Sequence, residues 1–466
     1  MTSEPQRPEL LKLLADERQR FADTHRRSAE LHQRGRAALL DGVPMSWMMT
    51  WPGGYPIFAE RAQGARVVDV DGNEFVDFCL GDTGAMAGHS PAATSRALAH
   101  QSERGNTMML PTEDSVWVAE ELARRFGVPL WQFQLSATDA NRNALRIARG
   151  ITGRSKLLMM NRTYHGTVDD TLAVLSDDGA VVRRPTSLGA PIDPAMTTRV
   201  VEFNDTSGLE VALAEGDVAC VLTEPVLSGH GFVAPEPGYH DTLRGLTRNA
   251  GVVLIIDETH MICAGPGGIT AQMGLEPDII TTGKVIAGGV PIGALGLSAE
   301  VAERLHQTAT LPLTGVTGLG GTLAGNALSL AAARATLSEV LTADSYARMT
   351  ALGERAVAGL TNQMHRVGVP WHALGFGSRV EYCFRATPPR NGSEAMAARD
   401  HSLEAFIHLF SLNNGVLVVP FHNLAMISAA TTADDVDRYV EVFGNALDVL
   451  GRHGILVNHD TETELS

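Results

Sequence analysis

The stretch Ile279-Ile280-Thr281-Thr282-Gly283-Lys284, together with Val252-Val253-Leu254-Ile255-Ile256-Asp257 upstream of it, decides the reading of this 466-residue chain. Each begins as an unbroken apolar run and ends on a residue with chemistry. Runs of this kind, flanked by Gly251 or a polar residue, read as strands buried on both faces. Open α/β sheets bind their ligands at the carboxyl ends of such strands. An acid and a lysine at two of these ends, a helical crossover apart, form the pair that pyridoxal phosphate (PLP) requires. The lysine holds the aldehyde as a Schiff base, and the carboxylate pairs with the pyridinium nitrogen. Only two other lysines exist in the chain: Lys12 in a charged N-terminal stretch, and Lys156 at the opening of a strand-like run.

Working outward, further apolar runs at 131–135, 156–160, 218–222 and 293–297 alternate with helical patterns from about 115 to 335. That is an α/β arrangement, a mostly parallel sheet with helices on both faces. Residues 8 to 40 read as one or two helices after Pro8, and Asp71-Gly72 inside an alternating stretch is a hairpin signal. From about 336 a long helical stretch leads into runs at 379–384 and 416–420 and a last helix at about 433–451. The expected organisation is an N-terminal helical segment and hairpin (1–75) belonging to a small domain, a large PLP-binding domain (76–335), and a C-terminal small α+β domain (336–466). The residues from about 457 read as frayed.

Composition narrows the function. Formal net charge is −16, with 53 acidic against 37 basic residues. An acidic surface argues against nucleic acid as the main partner, because phosphate binding needs a basic one. The four cysteines, Cys79, Cys220, Cys263 and Cys383, show no CxxC pairing, which fits a reducing cytoplasm. No 18-residue apolar stretch and no signal-peptide pattern is present, so the expectation is a cytoplasmic protein that does not span a membrane. The sixteen histidines are scattered and HExxH is absent, so no metal site is expected.

An anion cradle is also needed. Trp131-Gln132-Phe133-Gln134-Leu135 runs directly into Ser136-Ala137-Thr138-Asp139-Ala140-Asn141, followed by small apolar residues at helical spacing. Such a turn presents backbone N–H groups and hydroxyls at the positive end of a helix. Alone it is equally an ordinary N-cap; beside Asp257 and Lys284 it reads as a phosphate site. Tyr164-His165-Gly166 follows the run 156–160, where an aromatic can stack on a pyridine ring or sit half-buried in the core. Glu224-Pro225 closes the run 218–222 at the same sheet edge.

In this order and spacing the chain resembles the class III PLP-dependent aminotransferases, most of all their glutamate-1-semialdehyde aminomutase branch, from about residue 43 to 450. The matching residues are Asp71-Gly72, Gly88-His89, Pro91, Ser136–Asn141, Thr152-Gly153-Arg154, Tyr164-His165-Gly166, Glu224-Pro225, Asp257-Glu258, Gly283-Lys284, Gly288-Gly289, Pro291-Ile292-Gly293, Gly321-Thr322 and Gly325-Asn326. The resemblance implies PLP fold type I, with a mostly parallel seven-stranded sheet in the large domain and a smaller α+β domain. It also implies a homodimer with shared active sites, in which Gly321 and Thr322 reach the neighbouring subunit's cofactor. Ser136, Ala137 and Thr138 are implied to bind the phosphate, Tyr164, with His165 next to it, and Thr259 to cover the ring faces, and Glu224 and His260 to lie near the phenolic edge. The sequence departs from the family at Ser-Ala-Thr-Asp in the phosphate turn, at Thr259-His260 after the Asp-Glu pair, and at Ala264-Gly265-Pro266-Gly267-Gly268 beyond it.

The function expected is an aminotransferase moving an amino group between an amino acid or amine, such as a β- or ω-amino acid, and a keto acid or aldehyde. An intramolecular aminomutase uses the same residues and is the alternative. Arg379 and Arg385 are candidates to clamp a substrate carboxylate, or else solvated strand arginines.

Overall fold

Seven strands build the sheet of the larger of two units, numbered here in chain order: β1 (Leu130–Gln134), β2 (Lys156–Met160), β3 (Thr198–Val201), β4 (Val218–Thr223), β5 (Val253–Asp257), β6 (Ile279–Gly283) and β7 (Gly293–Leu297). They lie in the order β1-β7-β6-β5-β4-β2-β3. Strands β2 to β6 run parallel, whereas β7 is antiparallel to both β6 and β1. Because β7 reverses direction, β1 points the same way as β6. Its carboxyl end therefore returns to the edge where β2, β4, β5 and β6 also end. The structure is a computed structural model that describes residues 7–189, 191–229, 231–308 and 318–456. The larger unit spans Pro91–Tyr346 and Pro389–Ala397.

The unbroken apolar runs are explained by two cores, one on each face of the sheet. Leu157, Met159, Val253, Ile255 and Ile279 pack with Ala140, Ala144, Leu145 and Ala148 of the helix Ala137–Thr152. Leu158, Met160, Leu254 and Ile256 pack on the other side with Leu209, Leu213, Tyr239 and Leu243. Successive strand residues point to opposite faces, so a strand covered on both sides is apolar at every position. The edge strand β3 carries only two adjacent valines in Thr198-Arg199-Val200-Val201, too short a signal to read from sequence.

The smaller unit takes the described parts of Met1–Ser90, Ala347–Pro388 and Ala398–Ser466. The hairpin around Asp71-Gly72 forms as Arg66–Asp69 against Glu74–Asp77. The last helix runs from Ala433 to Arg452 and opens on a capping box between Thr432 and Asp435. The run expected at 416–420 is a strand only over Val416–Leu417, and Pro420, which has no N–H to give a ladder, follows it. The helical stretch expected from about 336 is broken at Leu341 and resumes as Ala343–Val367. Arg379 is not a solvated strand arginine: it is 1% exposed, with Nη1 3.3 Å from Thr83 Oγ1 and 3.6 Å from Asp82 Oδ1. Arg385 is half-buried. The stretch from about 457 lies outside the described residues. Among the described residues, no helix is long and apolar enough to cross a membrane.

Candidate active site

One edge of the seven-stranded sheet collects the predicted residues. Asp257 is the last residue of β5 and pairs in register with Thr281 of β6. Lys284 follows β6 directly, in a left-handed conformation with φ 50°. That region costs an L residue on the order of 1–3 kcal/mol, and such strain persists where the surroundings impose it. Glu224 follows β4, and Tyr164 and His165 lie just beyond β2. The phosphate turn enters from β1, since Gly283 pairs with Gly293 and Gly293 with Gln134.

Asp257 is 3% exposed and sits in a dense hydrogen-bond shell. Asn141 Nδ2 donates to its Oδ2 at 2.7 Å, and Nδ1 of His165 lies 2.9 Å from the same oxygen. The Thr259 N–H donates to Oδ1 at 3.0 Å. An ionised carboxylate accepts only, so His165 Nδ1 carries the hydrogen. Burial pushes this carboxyl up, but the bonds from His165, Thr259 and Asn141 and the charge of His165 outweigh it and hold it at about 2. Asn141 is fixed in turn: Thr281 Oγ1 donates to its Oδ1 at 2.6 Å. One chain of bonds thus ties the lysine strand, the phosphate helix and the acid strand together.

Glu224 is 1% exposed and forms a second cluster. Ser228 Oγ donates to Glu224 Oε2 and lies 3.0 Å from His260 Nδ1. That nitrogen is also 3.4 Å from Glu224 Oε2. Burial raises the Glu224 carboxyl, and the bond and charge of His260, the charge of His165 and the Ser228 bond bring it net below its ordinary value. The rings of Tyr164 and His260 stack with centroids 6.3 Å apart.

At the phosphate end, Ser136 caps the helix Ala137–Thr152 by accepting from the Asp139 N–H at 3.2 Å. The first-turn N–H groups of Ala137 and Thr138 have no acceptor within the helix. Two glycines let the backbone close around this turn. A Cβ at Gly166 (φ 78°) would run into the Thr138 hydroxyl, and one at Gly293 into the Ser136 carbonyl. Gly321 and Thr322 lie exposed in the turn ahead of the helix Ala327–Ala335.

The donor set fits PLP. An ionised carboxylate with spare acceptor capacity, a lysine, an anion-ready turn and an aromatic ring share one edge. The buried Thr259 hydroxyl, two residues past Asp257, has no hydrogen-bond partner among the described residues. Sequence reasoning did not assign Asn141, Thr281 or Ser228. Asn141 did carry a signal: it lies three residues past Thr138, on the same face of the phosphate helix.

Glu258 was also left without a role. It is fully buried and accepts the N–H groups of Ile269 at 3.3 Å and Thr270 at 2.5 Å. It thereby anchors the departing loop Ala264–Gly268. Burial lifts its carboxyl from 4.5 to about 7. An acid raised in the folded state binds more protons folded than unfolded, so stability falls as pH rises from about 4.5 through about 7. Glu258→Gln is expected to flatten that fall by up to about 3 kcal/mol relative to wild type, read by denaturant unfolding at several pH values. Parallel curves for the two proteins would show that Glu258 titrates alike folded and unfolded.

Sheet, edge and donor set together define a PLP-dependent enzyme of fold type I. The family model for class III aminotransferases matches residues 49–447, and the chain belongs to that family. It is 33% identical to the glutamate-1-semialdehyde 2,1-aminomutase of Methanosphaera stadtmanae over 84% of this chain and 92% of that protein. It is 48% identical to the solved glutamate-1-semialdehyde-aminomutase from Pseudomonas aeruginosa PAO1, with a TM-score of 0.93 over 95% of this chain and 98% of that one. A lysine-to-alanine variant of that enzyme was solved in complex with PMP, at a TM-score of 0.93, 47% identity and coverage of 96% and 99%. The β-phenylalanine aminotransferase from Variovorax paradoxus is 27% identical with a TM-score of 0.84, over 96% of this chain and 99% of that one.

Proposed function

We propose that this chain is an intramolecular amino-group shifter of the glutamate-1-semialdehyde 2,1-aminomutase type. The observation that carries this is the 48% identity to the Pseudomonas enzyme of that name across nearly the whole of both chains. The likeness to the Variovorax enzyme keeps a second reading open, transamination between an amino acid and a keto acid. The test is direct. An aminomutase converts glutamate-1-semialdehyde alone into an isomer of equal mass with its amino group on carbon 1. A transaminase leaves that substrate unconverted until an amino donor or keto acid is added, and that result would replace the first reading by the second.

PLP, when bound, supplies an aldehyde that takes up the substrate amine and a ring that receives the electron pair left by a departing proton. The residues divide the remaining work. Lys284 Nζ would hold the cofactor's aldehyde carbon and would serve as the base that moves the substrate proton between carbons. Asp257, kept ionised by His165 and Asn141, holds a proton on the ring nitrogen. Ser136, Ala137 and Thr138 bind the phosphate at the helix N-terminus, and Tyr164 and Thr259 fix the ring plane. Glu224 and His260 orient the phenolic edge through their shared Ser228. Gly321 and Thr322 of each subunit complete the phosphate site of the other in a homodimer. Thr322→Ala is therefore expected to weaken cofactor retention. Mixing it with Lys284→Ala subunits should restore some activity, and no recovery despite proven subunit exchange would place the contact within one chain.

A further inference from the structure

Arg162 is the second residue past β2, at the ligand edge of the sheet, and adopts φ 66°. A long side chain in the left-handed region is unfavourable, and its neighbours impose the conformation. Asn161 donates to Glu202 Oε1 at 2.6 Å and to Ser393 Oγ at 3.0 Å, and accepts from the Leu175 N–H at 3.0 Å. On the other side, Thr163 Oγ1 donates to the Met160 carbonyl at 3.0 Å. The Nε of Arg162 is buried, with no acceptor among the described residues.

A second arginine approaches the same place. The hairpin of Ala173–Leu175 and Val181–Arg183 delivers Arg184, whose guanidinium donates to the Thr163 carbonyl. Burial lowers its pKa first and the charge of Arg162 lowers it further, while Tyr164 and Glu224 act in the opposite sense. Two half-buried guanidinium groups thus lie within electrostatic reach of each other and of the Tyr164–Glu224 cluster. The chain has 53 carboxylates for 37 cations, and it pairs Arg149 with Asp170 and Arg199 with Asp217. Among the described residues it gives neither Arg162 nor Arg184 an ion pair. Two adjacent half-buried cations repel and lose part of their hydration unless an anion joins them.

We propose that Arg162 and Arg184 form a subsite for the carboxylate of the substrate, an inference that rests on the PLP-dependent function above and deepens it. A carboxylate matches the guanidinium fork and can satisfy Arg162 Nε together with N–H groups of Arg184 other than the one given to Thr163. A phosphate is disfavoured because the cofactor's phosphate is provided for at the Ser136–Thr138 turn, on another strand.

The test titrates the holoenzyme calorimetrically with succinate, with succinamide as the neutral counterpart and inorganic phosphate as the rival anion. Arg162→Gly removes the cation while suiting the left-handed backbone, so its melting temperature should equal or exceed that of wild type. Arg162→Gly and Arg184→Gln are each expected to weaken succinate binding about tenfold or more, the loss of one charge-assisted hydrogen bond. Succinamide should bind poorly and alike in all three proteins. Unchanged succinate affinity in both variants overturns the proposal, as does a wild-type enzyme in which these arginines hold phosphate and not succinate. The borohydride adduct on Lys284 separates the two levels. If the adduct is present and succinate affinity unchanged, the subsite alone falls; if the wild type forms no adduct, the function falls and the subsite with it.

Discussion

Lys284→Ala is expected to lose turnover by about 10³-fold or more, because the covalent tether and the proton carrier vanish together. The loss should appear in kcat and not only in KM, since the proposed phosphate and ring contacts would remain to bind the cofactor. Borohydride reduction of wild type followed by peptide mapping should place the adduct on Lys284 and leave the variant unlabelled. The structure makes the alternatives poor. Lys156 opens β2 at the opposite edge of the sheet and lies 3.3 Å from Asp217. Lys12 is exposed on the helix Pro8–Thr24. An adduct on either, or a Lys284→Ala enzyme turning over within tenfold of wild type, would remove the lysine from its proposed role.

The strand that ends on Asp257 and the one that Lys284 follows were legible because burial on both faces writes itself into the sequence as apolar residues at successive positions, five in Val252–Ile256 and two in Ile279-Ile280. The residue that ends such a run then stands out as chemistry. The same logic placed Tyr164, His165 and Glu224 at one edge. It failed for β3, where the edge of the sheet relaxes the demand for apolar residues on both faces. It failed also for Thr281 and Ser228. The Thr281 hydroxyl looks like any strand threonine until Asn141, distant in sequence, is brought against it, and Ser228 gains its meaning only beside His260. Backbone conformation was equally hidden. Nothing in Asn161-Arg162-Thr163 announces a left-handed arginine, because glycine is the residue that normally marks such a position. His260 was singled out as unusual from the motif alone. Its partners Ser228 and Glu224 come from another strand end and required the fold.

Asp257→Asn is expected to retain PLP but to turn over about 10²- to 10⁴-fold more slowly, since a neutral amide cannot hold a proton on the ring nitrogen. The size of the effect follows from how firmly the wild-type carboxylate is kept charged. Its ordinary value of 3.8 is lowered to about 2 despite complete burial. The group is thus ionised at every pH at which the enzyme is assayed, and the deficit of the variant should be flat from about pH 5 to 9. The same depression stabilises the fold: it is fully present above the unfolded value near 3.8 and is lost as pH falls through about 2. Asn141→Leu and His165→Leu leave Asp257 in place but strip its donors. Each is expected to fall between wild type and Asp257→Asn, with the absorbance of the bound cofactor shifted in the same direction as in Asp257→Asn. That spectral readout separates a positioning role from mere loss of stability, which would lower occupancy without moving the band. If Asp257→Asn kept near wild-type turnover and an unshifted spectrum, Asp257 would not be the partner of the ring nitrogen. The hydrogen-bond chain from Thr281 through Asn141 would then be structural only.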